Sequence, residues 1–288
     1  MPDSRSKEFR HVLITRFNVP MVGDYSPTQQ PGDRGITTEW LTHRFGFFER
    51  FCLPSVHGQT CQEFVWLVFF SDRTPAEFRE RISAHAANWP VLRPVFVDAF
   101  DDETLRAQIK GNEFADAPWL ITTRLDNDDA LAVDFIAGVQ KEFSPSHRIV
   151  LNFPFGFGWR DGRVYLDRQR SNPFTSLIEK TGEMMTIYSQ DHRYLEQIAE
   201  LRQLKTPPMW LQVIHNWNVE NRLRGVRWPV SAARKRFALD ESAWGRDHFL
   251  EFAREQICNV LEIAKSKGVG RVMKEFRGAL AAHKKAAK

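Results

Sequence analysis

Between residues 10 and 153 short apolar runs alternate with segments whose apolar residues recur at helical spacing, and that alternation restricts the chain to a few folds. Val12-Leu13-Ile14 reads as a first buried strand. A Gly/Pro-rich loop from Gly23 to Gly35 follows. Leu41, Phe45, Phe48 and Cys52 then fall at i, i+4, i+7 and i+11, one apolar stripe along a helix that Pro54 should end. Phe64 to Phe70 is a second strand. Thr74-Pro75-Ala76-Glu77 has the form of a capping box with Pro at the first helical position, opening a helix through Phe78, Ile82 and Trp89. Pro94 to Val97 is a third strand, with a short helix at Leu105 and Ile109. Trp119 to Leu125 is a fourth, and a helix through Phe135, Val139 and Phe143 leads to a fifth, Ile149 to Phe153. The pattern implies a mainly parallel sheet with helices on both faces and ligands at the carboxyl ends of its strands.

After Pro154 the alternation stops. Phe155 to Tyr165 reads as a hairpin with Asp161-Gly162 in its turn, Met184 to Tyr188 as a strand, and Tyr194 to Leu204 as a helix. Trp210 to His215 is a short apolar run. A helix through Phe249, Phe252, Ile257 and Leu261 precedes a basic terminal helix. The chain divides into 1–153, an α/β half; 154–240, a mixed α/β part on the acceptor side of the same domain; and 241–288, a helical extension. There is no internal repeat.

The apolar fraction of 42% and charged fraction of 26% over 288 residues are those of a globular protein. Cys52, Cys61 and Cys258 show no Cys-x-x-Cys spacing, which fits a reducing cytoplasm better than a disulfide framework. Met1 to Lys7 lacks the apolar core of a signal peptide, and the longest apolar run, Val65 to Phe70, is too short to span a bilayer. A soluble, cytoplasmic protein is expected. The last stretch sets Arg271, Lys274, Arg277, Lys284, Lys285 and Lys288 against Glu275 alone. It reads as a solvated helix or as a peripheral contact with an anionic membrane leaflet. Nothing demands nucleic acid, at a net charge of only +4.

The chemistry concentrates in Asp126-Asn127-Asp128-Asp129, directly after the fourth strand. Three carboxylates in four residues repel one another unless positive charge sits among them. Hard oxygen ligands of this kind suit Mg²⁺ or Mn²⁺ shared with substrate phosphates. The plainer reading, that Asp129 caps a helix beginning at Ala130 and the others form an Asx turn, explains one Asp well and three poorly.

Leu125-Asp126-Asn127-Asp128-Asp129 also resembles the Asp-x-Asp motif of nucleotide-sugar glycosyltransferases with the GT-A fold, a Rossmann-like, mostly parallel sheet flanked by helices. More narrowly, four segments look like those of a bacterial family of rhamnosyltransferases: Phe51 to Val56, Thr123 to Leu131, Asn172 to Leu177, and Trp210 to His215. The sequence departs from that pattern at Asn216-Trp217, where a Gly is expected. The resemblance implies a nucleotide-sugar donor, a carbohydrate or other hydroxyl acceptor and a divalent cofactor (Mn²⁺ or Mg²⁺). It implies donor contacts from the loop Thr15-Arg16-Phe17 and from Asp72 near the base; Arg124 and Arg16 are candidates to neutralise phosphate or to pair with the Asp cluster, and Asp126 to hold the donor ribose or a metal-bound water. It implies metal ligation by Asp126, Asp128 and His215; for His215 a satisfied structural histidine or a surface-loop histidine is the competing reading.

An inverting transfer needs a carboxylate base, for which Asp191 is the candidate; a helix N-cap is the competing reading. Asn218 and Asn221 are candidates for substrate hydroxyls, and Trp159 and Trp217 for stacking on a sugar ring. A nucleotidyltransferase would carry a Gly-rich loop after the first strand, and Thr15 to Pro20 has no Gly; no Gly-x-x-x-x-Gly-Lys is present either. The remaining alternative is a non-catalytic nucleotide- or carbohydrate-binding protein, which has no reason to keep three mutually repelling carboxylates.

Overall fold

The computed structural model describes residues 8–20, 36–111, 116–145, 147–215, 223 and 225–267. In chain order the elements are β1 (Phe9–Arg16), α1 (Thr38–Phe47), a π-helical turn (Phe48–Cys52), α2 (Leu53–His57), β2 (Val65–Ser71), α3 (Ala76–Ala87), β3 (Leu92–Val97), α4 (Asp102–Lys110) and β4 (Trp119–Arg124). Then come β5 (Ala130–Leu131), α5 (Phe135–Lys141), β6 (Ile149–Asn152), β7 (Phe155–Arg160), β8 (Arg163–Arg168), β9 (Ser176–Lys180) and β10 (Glu200–Gln203). The series closes with β11 (Trp210–Val213), β12 (Val226–Trp228), α6 (Val230–Arg234) and α7 (Phe249–Lys267).

Seven strands form the main sheet in the order β10-β6-β9-β4-β1-β2-β3. The run β4-β1-β2-β3 is parallel throughout. β9 alone runs against its neighbours β4 and β6, while β10 runs parallel to β6. The fold is the expected α/β class, a mostly parallel sheet flanked by helices. Both faces are buried: Val12 and Ile14 join one apolar cluster with Leu67, Phe69, Leu105 and Ile109, and Leu13 joins the other with Trp66, Val68 and Phe70. That two-sided burial explains why these strands read as unbroken apolar runs. A second sheet, β12-β8-β7-β11-β5, carries the 155–168 hairpin, whose turn residues Asp161 (φ 50°) and Gly162 (φ 79°) have the left-handed backbone that an Asp-Gly turn supplies.

Several expectations fail, each for a local reason. Pro54 does not end the first helical stripe. The chain passes through a π turn, in which the Leu53 N–H reaches Phe48 O, and Pro54 sits in the first turn of α2, where no N–H is needed. The capping box at Thr74 does not form either. The Thr74 hydroxyl donates to Ser71 O (2.6 Å) and accepts from Asn18 Nδ2 (3.1 Å), leaving Pro75 as a cap with no side-chain bond. Met184 to Tyr188 is a loop rather than a strand. Buried Glu179 accepts the N–H groups of Met185 and Thr186, and Thr122 Oγ1 accepts that of Ile187, so these donors are withdrawn from any ladder. The helix expected over Tyr194 to Leu204 is a 3₁₀ turn, Leu195–Gln197, followed by the edge strand β10, whose pairing with β6 overrides local helix propensity. β9 itself went unread. The Gly23–Gly35 loop and the basic stretch after Lys267 lie outside the described residues.

No helix among the described residues is long and apolar enough to cross a membrane, and all three cysteines are free.

Two glycines test how tightly the site's supports are packed. A Cβ at Gly156 on β7 would lie 2.0 Å from the fully buried Trp210 ring, itself stacked on Phe174 at 5.2 Å. A Cβ at Gly46 in α1 would meet nothing within 4 Å. In urea denaturation, Gly156→Ala should cost about 3 kcal/mol as an overpacked core. Gly46→Ala should gain about 0.5–1 kcal/mol from helix propensity. Equal effects at the two positions would contradict this packing.

Candidate active site at the carboxyl edge of the main sheet

The acidic cluster leaves β4 at the carboxyl edge, and each of its polar members has a defined structural partner. Asn127 Nδ2 donates to Phe17 O (2.8 Å) and Arg16 O (3.3 Å), tying the cluster to the loop after β1. Asp129 is buried and accepts the Val213 N–H at 2.8 Å, holding the end of β11. Burial, reinforced by Asp128 and Asp126, pushes its carboxyl well up. Asp126, the most open of the three, is gripped by Arg124, whose Nε and Nη2 lie 3.2 and 3.1 Å from Oδ1.

Asp128 is the point of convergence. Its Oδ2 accepts from Arg44 Nη1 at 2.5 Å and lies 2.9 Å from His215 Nε2. Burial works against its charge, but Arg44 and His215 outweigh it and hold the carboxyl down to about 2. Arg44 also donates to Asn127 Oδ1 (3.2 Å) and lies over the Trp40 ring. The His215 ring stacks on Phe47 (4.2 Å between centroids) and meets His43 edge-on at 5.3 Å. Helix α1 supplies these groups because Leu41 and Phe45 point into the core, which turns His43, Arg44 and Phe47 toward the cluster. Arg44 and His43 were missed in the sequence. The available signal was a His-Arg pair beside the apolar stripe of the first helix.

The remaining candidates separate into those near the cluster and those engaged elsewhere. Thr15 is fully buried and accepts from Trp66 Nε1 (2.9 Å), and the Phe17 ring is packed against Phe45, Phe48 and Phe70. Both side chains build the core beneath the β1 loop. Arg16 donates to Val19 O (3.1 Å) and feels the charge of Asp126. Asp72 is exposed at the end of β2. Asp191 accepts from the Arg193 backbone (2.8 Å) and from its guanidinium (2.9 and 2.8 Å), which holds the carboxyl down to about 2. That pairing lowers its proton affinity, so a role as base would need Arg193 to turn aside. Trp159 donates to Ala243 O (2.7 Å) from the core, so it is not free to stack on a sugar. Trp217, Asn218 and Asn221 lie outside the described residues.

Asp126, Asp128 and His215 do not assemble as a three-ligand metal site, and among the described residues no group of three or more His, Cys, Asp or Glu does. Asp126 turns to Arg124 instead. Asp128 and His215 do meet, and a carboxylate plus an imidazole fits a cation that takes its other ligands from substrate phosphates and water.

The chain belongs to a glycosyltransferase family. A family model described as "Putative rhamnosyl transferase" matches residues 10–227. No curated protein matches. Among solved structures, Staphylococcus aureus TarS 1–349 in complex with UDP-GlcNAc is similar at 10% identity and TM-score 0.41, over 89% of this chain and 66% of that one. TarS solved without that restriction aligns at 10% identity and TM-score 0.41, over 72% of this chain and 37% of its own. The 4-diphosphocytidyl-2C-methyl-D-erythritol synthase of Anaerococcus prevotii aligns at 9% identity and TM-score 0.34, over 88% and 98%. The chain thus spans less than two thirds of the TarS chains it resembles.

The Arg44–Asp128 pair makes a stability prediction with a definite pH sign. Arg44→Met should cost about 3 kcal/mol at neutral pH, since it strands a buried carboxylate. Asp128 is held below its ordinary 3.8, so its contribution is in place above 3.8 and lost as pH falls through about 2. The gap between wild type and variant, read by urea denaturation at pH 7 and pH 3, should therefore shrink at the lower pH. A gap that stays constant or widens would rule out this pairing as its source.

Proposed function

We propose that this chain transfers a sugar from a nucleoside-diphosphate sugar to a hydroxyl acceptor, in the simplest case a carbohydrate. The donor diphosphate is held at the Asp126–Asp129 edge. The observation that carries the reading is the meeting of Asp128, Arg44 and His215 at the carboxyl edge of a mostly parallel sheet, where ligands of such sheets bind. Rhamnose is the proposed sugar on the family description alone. Residues 1–153 are proposed as the donor half and 154–240 as the acceptor side.

Transfer forms a bond from the acceptor oxygen to the anomeric carbon, breaks the bond from that carbon to the diphosphate, and passes the acceptor's hydroxyl proton to a base, for which Asp191 is the candidate once Arg193 turns aside. Negative charge builds on the leaving oxygen. Arg124 and Arg16 are the cations proposed to face the donor phosphates, Asp126 to bind the donor ribose, and Asp72 to approach the base. Asp128 and His215 are proposed to hold Mn²⁺ or Mg²⁺, which when bound supplies further charge neutralisation at the diphosphate. Phe47 fixes the plane of the His215 ring, and Asp129 fixes the strand that presents it.

Asp128→Asn should cut turnover by roughly two to three orders of magnitude, the scale for losing one key electrostatic group. It should also lower stability, because Arg44 loses its partner. The measurement is donor hydrolysis or sugar transfer with Mn²⁺ or Mg²⁺, comparing wild type, the variant and chelator-treated enzyme. Full activity in the variant sinks the assignment of Asp128, and wild-type activity untouched by chelator sinks the metal. A thermal-shift series with nucleoside diphosphates separates catalysis from mere binding: ligand at about 100 times its Kd adds roughly 2.7 kcal/mol whether or not turnover follows.

A further inference from the structure

Among the described residues four large apolar side chains are left exposed, and three of them stand on α7: Phe249 (81%), Leu250 (80%) and Ile257 (61%). Leu250 and Ile257 are seven residues apart, two helical turns, so they share one stripe, and Phe249 flanks it. The helix cannot roll to bury them, because its other side is pinned to the second sheet. Buried Arg227 donates Nε to Glu255 Oε2 (3.1 Å) and lies over the Phe252 ring, while Arg163 pairs with both Glu251 and Glu255. An outward apolar stripe on a pinned helix is unusual on a protein surface and marks a contact.

The charge that follows in the sequence selects the partner. From Lys265 to Lys288 there are eight Lys and Arg residues against the single acid Glu275. A second copy offering the same face would bring two such basic stretches together, which like-charge repulsion opposes. An anionic lipid surface complements both features at once: apolar side chains enter the headgroup–acyl boundary, and cations lie over the headgroups. We infer that α7 docks this protein on an anionic bilayer through Phe249, Leu250 and Ile257, with the basic stretch beyond it supplying the electrostatic attraction. The inference stands apart from the proposed transfer reaction and does not depend on it.

The test is co-sedimentation of the full chain with phosphatidylcholine vesicles, and with vesicles in which about one third of the lipid is phosphatidylglycerol. Wild type should bind the anionic vesicles at least about tenfold more tightly than the neutral ones, and less tightly as salt screens the headgroups. A Leu250→Glu/Ile257→Glu variant should lose at least about tenfold in affinity for the anionic vesicles, since it removes the inserted chains. Its circular dichroism and Tm should match wild type, because both side chains already face solvent. Three results would overturn the inference: equal binding to both vesicle types or to neither, a double variant that binds like wild type, or lipid-free self-association of wild type that the double variant abolishes.

Discussion

Everything at the carboxyl edge of this sheet depends on how three carboxylates are kept from repelling one another. At 4 Å two like charges interact by about 1 kcal/mol in water and about 4 kcal/mol near a protein surface, so a bare Asp-x-Asp-Asp run would splay or protonate. Instead each carboxylate has its own donor: Arg124 for Asp126, Arg44 and His215 for Asp128, and the Val213 N–H for Asp129. These donors come from β4 itself, from α1 and from the region of β11. Neutralising the cluster therefore requires the first helix and the second sheet to close on the main sheet.

Exposure falls along the run and the roles change with it. Asp126 is half-buried and held by a neighbour two residues away, so it can be recruited at little structural cost. Asp128 is enclosed between two elements far apart in sequence, which makes its geometry a product of the tertiary fold. Asp129 is sealed and serves the backbone. Asn127, the neutral member, anchors the loop after β1 through two carbonyls. A local string of four polar residues thus organises three layers of the structure.

This explains what could be read in the sequence and what could not. The parallel half was legible because strands buried on both faces carry their own signature, as Val12 to Ile14 and Phe64 to Phe70 do. The 155–168 hairpin was legible because Asp161-Gly162 meets a backbone requirement that few other pairs satisfy. β9 and β10 were not, because their pairing is long-range: Ile178 faces Ile121 on one side and Ile149 on the other, and no local periodicity records that. The site divides in the same way. The aspartates announce themselves by proximity in sequence and His215 by the family resemblance. Arg44 lies 84 residues from Asp128, and only the packing of α1 on Phe17 and Phe78 brings them together. Asp191 has the residue type of a base, and the neighbour Arg193 that shapes its turn also pairs with its carboxylate.

The resting charge balance bears on how a donor would be received. Arg44, Arg124 and Arg16 gather around Asp126 and Asp128, so cations already stand at this edge before any ligand arrives. A diphosphate is attracted to such an edge through its sheet-end cations alone. A divalent cation is not attracted while Arg44 faces Asp128, because two positive groups would compete for one oxygen. On the proposed reading Arg124 and Arg16 would meet the phosphates, and Asp128 and His215 would hold the cation beside them, where it would supply further charge neutralisation. Binding on that reading is cooperative: the nucleotide sugar would raise the affinity for the metal, and by linkage the metal would raise the affinity for the nucleotide sugar by the same factor.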